Sequence, residues 1–182
     1  MKSIIIAALG AAGVAMAGPA FAQSTTPLQP YVTLGYTYLN PYDRDLGEVT
    51  GRMGLRLWRF IGVEGEIGGG VLDNSYTNST GAHVKLSEGT QATGYLVGFF
   101  PVWGDKIDLL ARVGYGETPL ILQTPTQKSI ETTHPINLGA GAQYALNNKD
   151  GLRFDYTWRD FQGGYYAPHN DNTYAVSFVH KF

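Results

Sequence analysis

Two arginines and two glutamates flank a short break about a third of the way along this 182-residue chain. Arg52 and Arg56 precede Arg59 and Phe60, and Glu64 and Glu66 follow them. Even spacing puts each pair on one face of an extended strand, and a tight turn at Arg59-Phe60 brings the two faces together. Asp108 and Arg112, and then Arg153, Asp155 and Arg159, repeat the even spacing further on. Interspersed charges of both signs support two kinds of chemistry. They neutralise one another in a narrow polar core, where removing one partner costs about 3–5 kcal/mol, or they form an ion path or gate.

Catalysis finds less support. No nucleophile and base share a usable spacing, so no enzyme activity is expected. His83, His134 and His169 fall in or beside polar segments, but none shows metal-ligand spacing. Neither a metal nor a cofactor is expected.

The elements that position these charges are strands. Leu152, Phe154, Tyr156 and Trp158 alternate with Arg153, Asp155, Thr157 and Arg159, and on a helix this pattern would scatter charge around every side. At the end of the chain Tyr174, Val176, Phe178, His180 and Phe182 share one face. Thr173, Ala175, Ser177 and Lys181 share the other, joined there by an out-of-place Val179. The same test finds six earlier strands, which place Val32 to Tyr38, Gly51 to Leu57, Ile61 to Val71, Tyr95 to Phe99, Leu109 to Tyr115 and Ile136 to Tyr144 on the apolar face. In the fourth, Tyr95, Val97 and Phe99 are assigned to the apolar outer face, although Leu96 and Phe100 make both faces apolar.

The connections between the eight strands alternate in length. Arg59-Phe60, Val102 to Lys106 and Asn147 to Asp150 are tight turns. Asn40 to Glu48, Leu72 to Gly89, Glu117 to Thr133 and Asp160 to Asn172 are long and polar. Short periplasmic turns alternating with long external loops mark an outer-membrane barrel, with both termini on the periplasmic side.

The first 22 residues stand apart. Met1 and Lys2 precede an apolar run from Ile4 to Met16, and Gly18, Pro19 and Ala20-Phe21-Ala22 complete a cleavable export signal. Cleavage is expected between Ala22 and Gln23, which leaves one domain of about 160 residues, 23–182. Loss of Lys2 takes the formal charge from −2 to −3, so a nucleic-acid partner is not expected. The chain has no Cys, so disulfides do not hold this exported fold.

Polarity decides which face lies inside. Arg52, Arg56, Glu64, Glu66, Asp108, Arg112, Arg153, Asp155, Arg159 and Lys181 share the faces opposite the large apolar residues. An eight-stranded bore is wide enough only for side chains or one small ligand. The charges and glycines are expected inside and the bulky Tyr, Trp, Phe and Leu residues outside. Arg or Lys facing lipid at midplane would cost about 2–4 kcal/mol each. Aromatics near strand ends, among them Tyr38, Trp58, Tyr115, Tyr144, Trp158, Tyr174 and Phe182, fit a girdle at the headgroups.

Ile61-Gly-Val-Glu-Gly-Glu-Ile67, Ala111-Arg-Val-Gly-Tyr-Gly116, Leu138-Gly-Ala-Gly-Ala-Gln-Tyr144 and Gly151-Leu-Arg-Phe-Asp-Tyr156 resemble segments of the opacity-type small outer-membrane β-barrel family. That family is related in architecture to the OmpA membrane domain. The resemblance implies an all-β, eight-stranded antiparallel up-and-down transmembrane barrel in the cell outer membrane, in contact with lipid and lipopolysaccharide. The last strand, with Tyr174, Val176, Phe178, His180 and Phe182, resembles the signal read by the barrel assembly machinery. The chain stops at Phe182, so the peptidoglycan-binding domain of longer OmpA-type relatives is expected to be absent. The His-x-Ser pair of barrel lipid A deacylases has no counterpart at any of the four histidines.

Three functions fit these features. The first is a structural or surface-interaction, adhesin-like protein that presents an external ligand site on loops carrying Tyr76, Tyr165 and Tyr166. The second is a narrow porin-like channel. The third, a soluble periplasmic binding barrel, would require the reverse polarity.

Overall fold

Strict apolar-polar alternation, rich in Val, Thr, Tyr and Phe, builds ladders whose two faces meet different media. A computed structural model describes residues 28–39, 46–72, 74–77, 83–104, 106–123, 128–162 and 170–182. The expected export signal and cleavage site lie outside the described residues, as do Tyr165, Tyr166 and His169. Among the described residues ten antiparallel strands occur: β1 (Gln29–Leu39), β2 (Leu46–Trp58), β3 (Ile61–Leu72), β4 (Asn74–Thr77), β5 (His83–Glu88), β6 (Gln91–Pro101), β7 (Ile107–Gln123), β8 (Lys128–Ala145), β9 (Asp150–Gln162) and β10 (Asn170–Lys181).

Eight of them close a ring in the order β1-β2-β3-β6-β7-β8-β9-β10, with β10 returning to β1 from Tyr31↔Lys181 to Leu39↔Thr173. Each barrel strand neighbours the next barrel strand in the chain, which is the up-and-down barrel expected from the sequence. The links 59–60, 102–106 and 146–149 gather at one end with both chain ends of the barrel. We call this the turn end and its opposite the loop end. No helix among the described residues is long and apolar enough to cross a membrane.

The loop end is more ordered than its composition suggests. The stretch expected as a loop from Leu72 to Gly89 contains the hairpin β4–β5, and β5 pairs with β7 from Lys85↔Gln123 to Glu88↔Leu120. The stretch expected as a loop from Glu117 to Thr133 is instead a ladder in which β7 and β8 continue from Thr118↔Thr133 to Gln123↔Lys128. A four-stranded sheet, β4-β5-β7-β8, therefore rises from the barrel rim. Asn, Ser and Thr dilute the apolar alternation there, while the ladder itself supplies the backbone hydrogen bonds.

Polarity is inverted relative to a water-soluble protein. Leu34, Met53, Ile67 and Phe154 are open to the surroundings, at 65%, 63%, 65% and 54% exposure, while Arg153, Glu48 and Asn137 are almost wholly enclosed. One strand departs from the sequence reading. Tyr95, Val97 and Phe99 of β6 point inward and are buried, and Leu96 and Phe100 point outward. The interior also takes Tyr31, Leu110 and Val179, so the expectation that bulky residues are excluded from the bore is corrected. Facing glycines make the room. Tyr31 sits opposite Gly54 and Tyr95 opposite Gly114, and a Cβ on either glycine would run into the tyrosine ring.

Candidate functional site

The charged side chains converge in the lumen, which is filled in three tiers. At the turn end Tyr31, Val97, Phe99, Leu110 and Val179 form an apolar plug with Tyr95. The Tyr31 and Phe99 rings meet edge to face at 6.2 Å. Arg56 lies over Phe99 at 4.3 Å and pairs with Asp108 at 3.0 Å, combining a cation–π contact with an ion pair. Lys181 is half-buried at the same rim.

Above the plug, four strands contribute a buried charge network. Arg52 of β2 donates to Glu66 of β3 at 2.5 Å and to Asp155 of β9 at 2.8 Å. Arg153 of β9 donates to Glu64 of β3 through both terminal nitrogens, at 2.5 and 3.2 Å, and to Asp155 at 3.1 Å. Arg112 of β7 sits between Glu64 at 3.7 Å and Asp155 at 3.6 Å, and donates to Thr157 at 2.8 Å. Two tyrosines that the sequence reading placed elsewhere or passed over complete it. The Tyr31 hydroxyl donates to Glu64 at 2.6 Å and that of Tyr95 to Glu66 at 3.3 Å, while the Arg112 guanidinium lies 4.8 Å from the Tyr95 ring centre. Buried charges are tolerable when paired and hydrogen-bonded on several sides. Arg52 and Arg153 meet that condition, whereas Arg112 keeps its charge partners at 3.6–3.7 Å, and its Nε and Nη1 have no hydrogen bond among the described residues.

The tier toward the loop end is polar in its lower part and closed above by Leu39 and Leu46, buried at 1% and 2%. Gln91 donates to Glu48 at 2.8 Å, Arg159 approaches Glu48 at 3.7 Å, and Thr37 bonds Thr50 at 3.1 Å. Glu48 and Gln91 escaped the sequence reading because Glu48 lies where a loop was expected. The structure thus brings Arg52, Glu64, Glu66, Arg112, Arg153 and Asp155 into one cluster. It sets the Arg56–Asp108 pair below that cluster and Arg159 above it.

On the outer wall Tyr174, Val176 and Phe178 are open at 54%, 51% and 46%, and Phe182 at 68%. His180 stands at the turn end, its Nδ1 2.7 Å from Asp150 Oδ1 and its ring against Phe182. His134 lies on the outer rim near Glu117, at 3.4 Å, with its ring stacked on Tyr115. Among the described residues no group of three His, Cys, Asp or Glu is placed to hold a metal.

Chemically, the lumen is a set of neutralising pairs locked between opposite walls.

The model of the outer membrane protein beta-barrel domain matches residues 5–182. Three solved structures share the fold at low sequence identity. The attachment invasion locus protein Ail of Yersinia pestis, in complex with the heparin analogue sucrose octasulfate, has a TM-score of 0.61 and 12% identity over 86% of this chain and 100% of its own. Neisserial surface protein A has 0.61 and 10%, over 85% and 97%. The N-terminal β-barrel domain of Pseudomonas aeruginosa OprF has 0.60 and 12%, over 86% and 98%. No curated protein sequence matches the chain.

Proposed function

This chain belongs to the outer membrane protein beta-barrel domain family and resides in the outer membrane, and from that premise we propose that it works at the cell surface, as an adhesin-like interaction protein on a closed barrel. The turn end faces the periplasm and the four-stranded sheet projects outside. The filled lumen is the observation that carries this reading. Tyr31, Val97, Phe99 and Val179, each at most 5% exposed, stop the bore below a charge network that ties its walls together. A barrel blocked in this way serves as a support, and its variable chemistry is left to the external sheet and loops.

The charge of that external region narrows the partner. Asp43, Asp45, Asp73, Glu88, Glu117, Glu131 and Asp160 outnumber Arg44, Lys85 and Lys128 in its sequence. Ail is solved with a polysulfated sugar. An acidic surface disfavours such a polyanion by like-charge repulsion and suits a neutral or basic partner. Export through residues 1–22, insertion by the assembly machinery reading Tyr174, Val176, Phe178, His180 and Phe182, and contact with lipopolysaccharide complete the proposal.

Cells displaying the chain are compared with cells carrying a form in which 74–88 is replaced by a short Gly-Ser turn, on surfaces coated with heparin, neutral glycans or basic proteins. Binding to a neutral or basic surface that is lost with the replacement supports the proposal. Equal binding by both, or retention on heparin alone, contradicts it. Planar-bilayer recording separates the narrow-channel alternative: steady conductance by the unaltered chain, abolished by Arg56→Ala or Glu64→Gln, would establish a pore.

A further inference from the structure

Every closure at the turn end pairs a cation with a bulky apolar side chain. Arg59 precedes Phe60, with its guanidinium 5.6 Å from the ring centre. Trp103 and Lys106 share the link between β6 and β7, where Lys106 N donates to Trp103 O at 3.2 Å. Leu146 and Lys149 share the link between β8 and β9, and Lys181 precedes Phe182 at the end of β10. Backbone bonds knit neighbouring closures together: Ala145 donates to Lys106 O at 2.8 Å, and Lys181 to Lys149 O at 2.7 Å. Phe60, Trp103, Leu146 and Phe182 are open at 53%, 71%, 54% and 68%, and Arg59, Lys106 and Lys149 are exposed beside them. The nearby acids Asp108 and Asp150 are engaged by Arg56 and His180. In sequence, that leaves Asp105 and the carboxylate at Phe182 against four cations.

We propose that Arg59, Lys106 and Lys149, with Lys181 at the rim behind them, form a collar that gathers anionic phospholipid headgroups. Under the orientation given above, on which this assignment of leaflet rests, those lipids belong to the periplasmic leaflet. Two observations select the occupant. A ring of open Phe, Trp and Leu side chains is an unfavourable surface in water, but at headgroup level each reaches the acyl boundary while the cation next to it meets a phosphate. A soluble acidic partner would satisfy the cations and leave that apolar ring uncovered. The opposite boundary has the opposite sign: the outer rim of the loop end carries Glu117 beside His134, and Asp160 at the outward parity of Phe154 and Tyr156. Anionic lipid is therefore attracted at one rim alone. A zwitterionic headgroup brings its own ammonium beside its phosphate and gains less from the collar, whereas a net negative headgroup keeps the full attraction.

The chain's three tryptophans supply the test. Trp58→Phe with Trp158→Phe leaves Trp103 as a reporter beside Lys106, and Trp58→Phe with Trp103→Phe leaves Trp158 toward the loop end. Each form is placed in phosphatidylcholine vesicles, and its fluorescence is quenched by equal fractions of dibrominated phosphatidylglycerol or dibrominated phosphatidylcholine. At Trp103 association is expected to favour phosphatidylglycerol about fivefold, the factor that one cation supplies near an anionic surface. Arg59→Gln with Lys106→Gln and Lys149→Gln, all at exposed positions, is expected to bring the two lipids to parity. So is about 1 M salt on the unaltered cations, where screening acts over about 3 Å. Trp158 is expected to show no preference. Equal association at Trp103, a preference that survives the triple change, or the same preference at Trp158 would overturn the collar. Vesicles hold the same lipids in both leaflets, so this result does not depend on orientation. Orientation is read separately, on intact cells with a bulky polyethylene glycol maleimide that does not cross the outer membrane. Lys149→Cys is expected to be protected, and its labelling would overturn the assignment to the periplasmic leaflet.

Discussion

Arg153 and Glu64 join opposite walls of the barrel by a two-pronged ion pair, with Arg153 Nη1 and Nη2 at 2.5 and 3.2 Å from the two carboxylate oxygens. They sit on β9 and β3, four strands apart in a ring of eight, so the contact spans the full bore. Arg112, Arg52, Asp155 and the Tyr31 hydroxyl close around it. A contact between chain segments 89 residues apart forms only once the ring has closed, so it reports on the completed barrel.

Glu64→Gln strands Arg153 and Arg112 with less compensating charge in an enclosed site. Unfolding in urea from lipid vesicles is expected to show a loss of about 3–5 kcal/mol. Arg153→Met with Glu64→Leu, which removes both charges, is expected to cost clearly less than the two single changes added together. Additive losses would mean that the two residues are energetically independent.

The Tyr31–Gly54 pairing predicts a position-specific penalty. Gly54→Val drives a side chain into the Tyr31 ring and is expected to cost about 1–3 kcal/mol through overpacking. Gly94→Ala, on the outer wall with nothing within 4 Å, is expected to stay within about 0.5 kcal/mol. Equal effects at the two sites would show that Tyr31 does not occupy the space above Gly54.

Acid sensitivity has one contributor at the turn end. The hydrogen bond from His180, and then that from Asn147, hold the Asp150 carboxyl below the ordinary carboxylate range. A depressed folded-state value means that the contact stabilises the barrel above the unfolded value of about 3.9. That contribution disappears as pH falls through the lower folded value. Stability of the native chain should therefore fall more steeply below about pH 4 than that of Asp150→Asn. Parallel curves for the two proteins would rule out this contribution.

Much of the barrel was legible because β9 and β10 keep one face charged or small and the other bulky along their length. Even Val179, an exception in the alternation, points inward as its parity requires. β6 was read with its faces exchanged, since Tyr95-Leu96-Val97-Gly98-Phe99-Phe100 is apolar at both parities and periodicity carries no sign there. Two weaker signals give the orientation. Gln91 and Thr93 share the parity of Tyr95, and Gly114 stands opposite Tyr95 to admit its ring. The hairpin β4–β5 and the upper β7–β8 ladder escaped notice because Asn, Thr, Ser and Pro read as loop, whereas pairing to an already formed neighbour overrides such local preference. Of the lumen network, the charged members were visible. The tyrosine hydroxyls were not, because tyrosine fits a lipid-facing wall equally well.

The inverted polarity itself is tested by a cysteine scan, which the cysteine-free chain makes clean. Single cysteines at 152–157 of β9, labelled with an environment-sensitive fluorophore in vesicles, are exposed to a quencher confined to the acyl chains. Quenching is predicted to alternate, strong at Leu152, Phe154 and Tyr156 and weak at Arg153, Asp155 and Thr157. Strong quenching at Arg153 and Asp155 with protection at Phe154 and Tyr156 would contradict the account at its base.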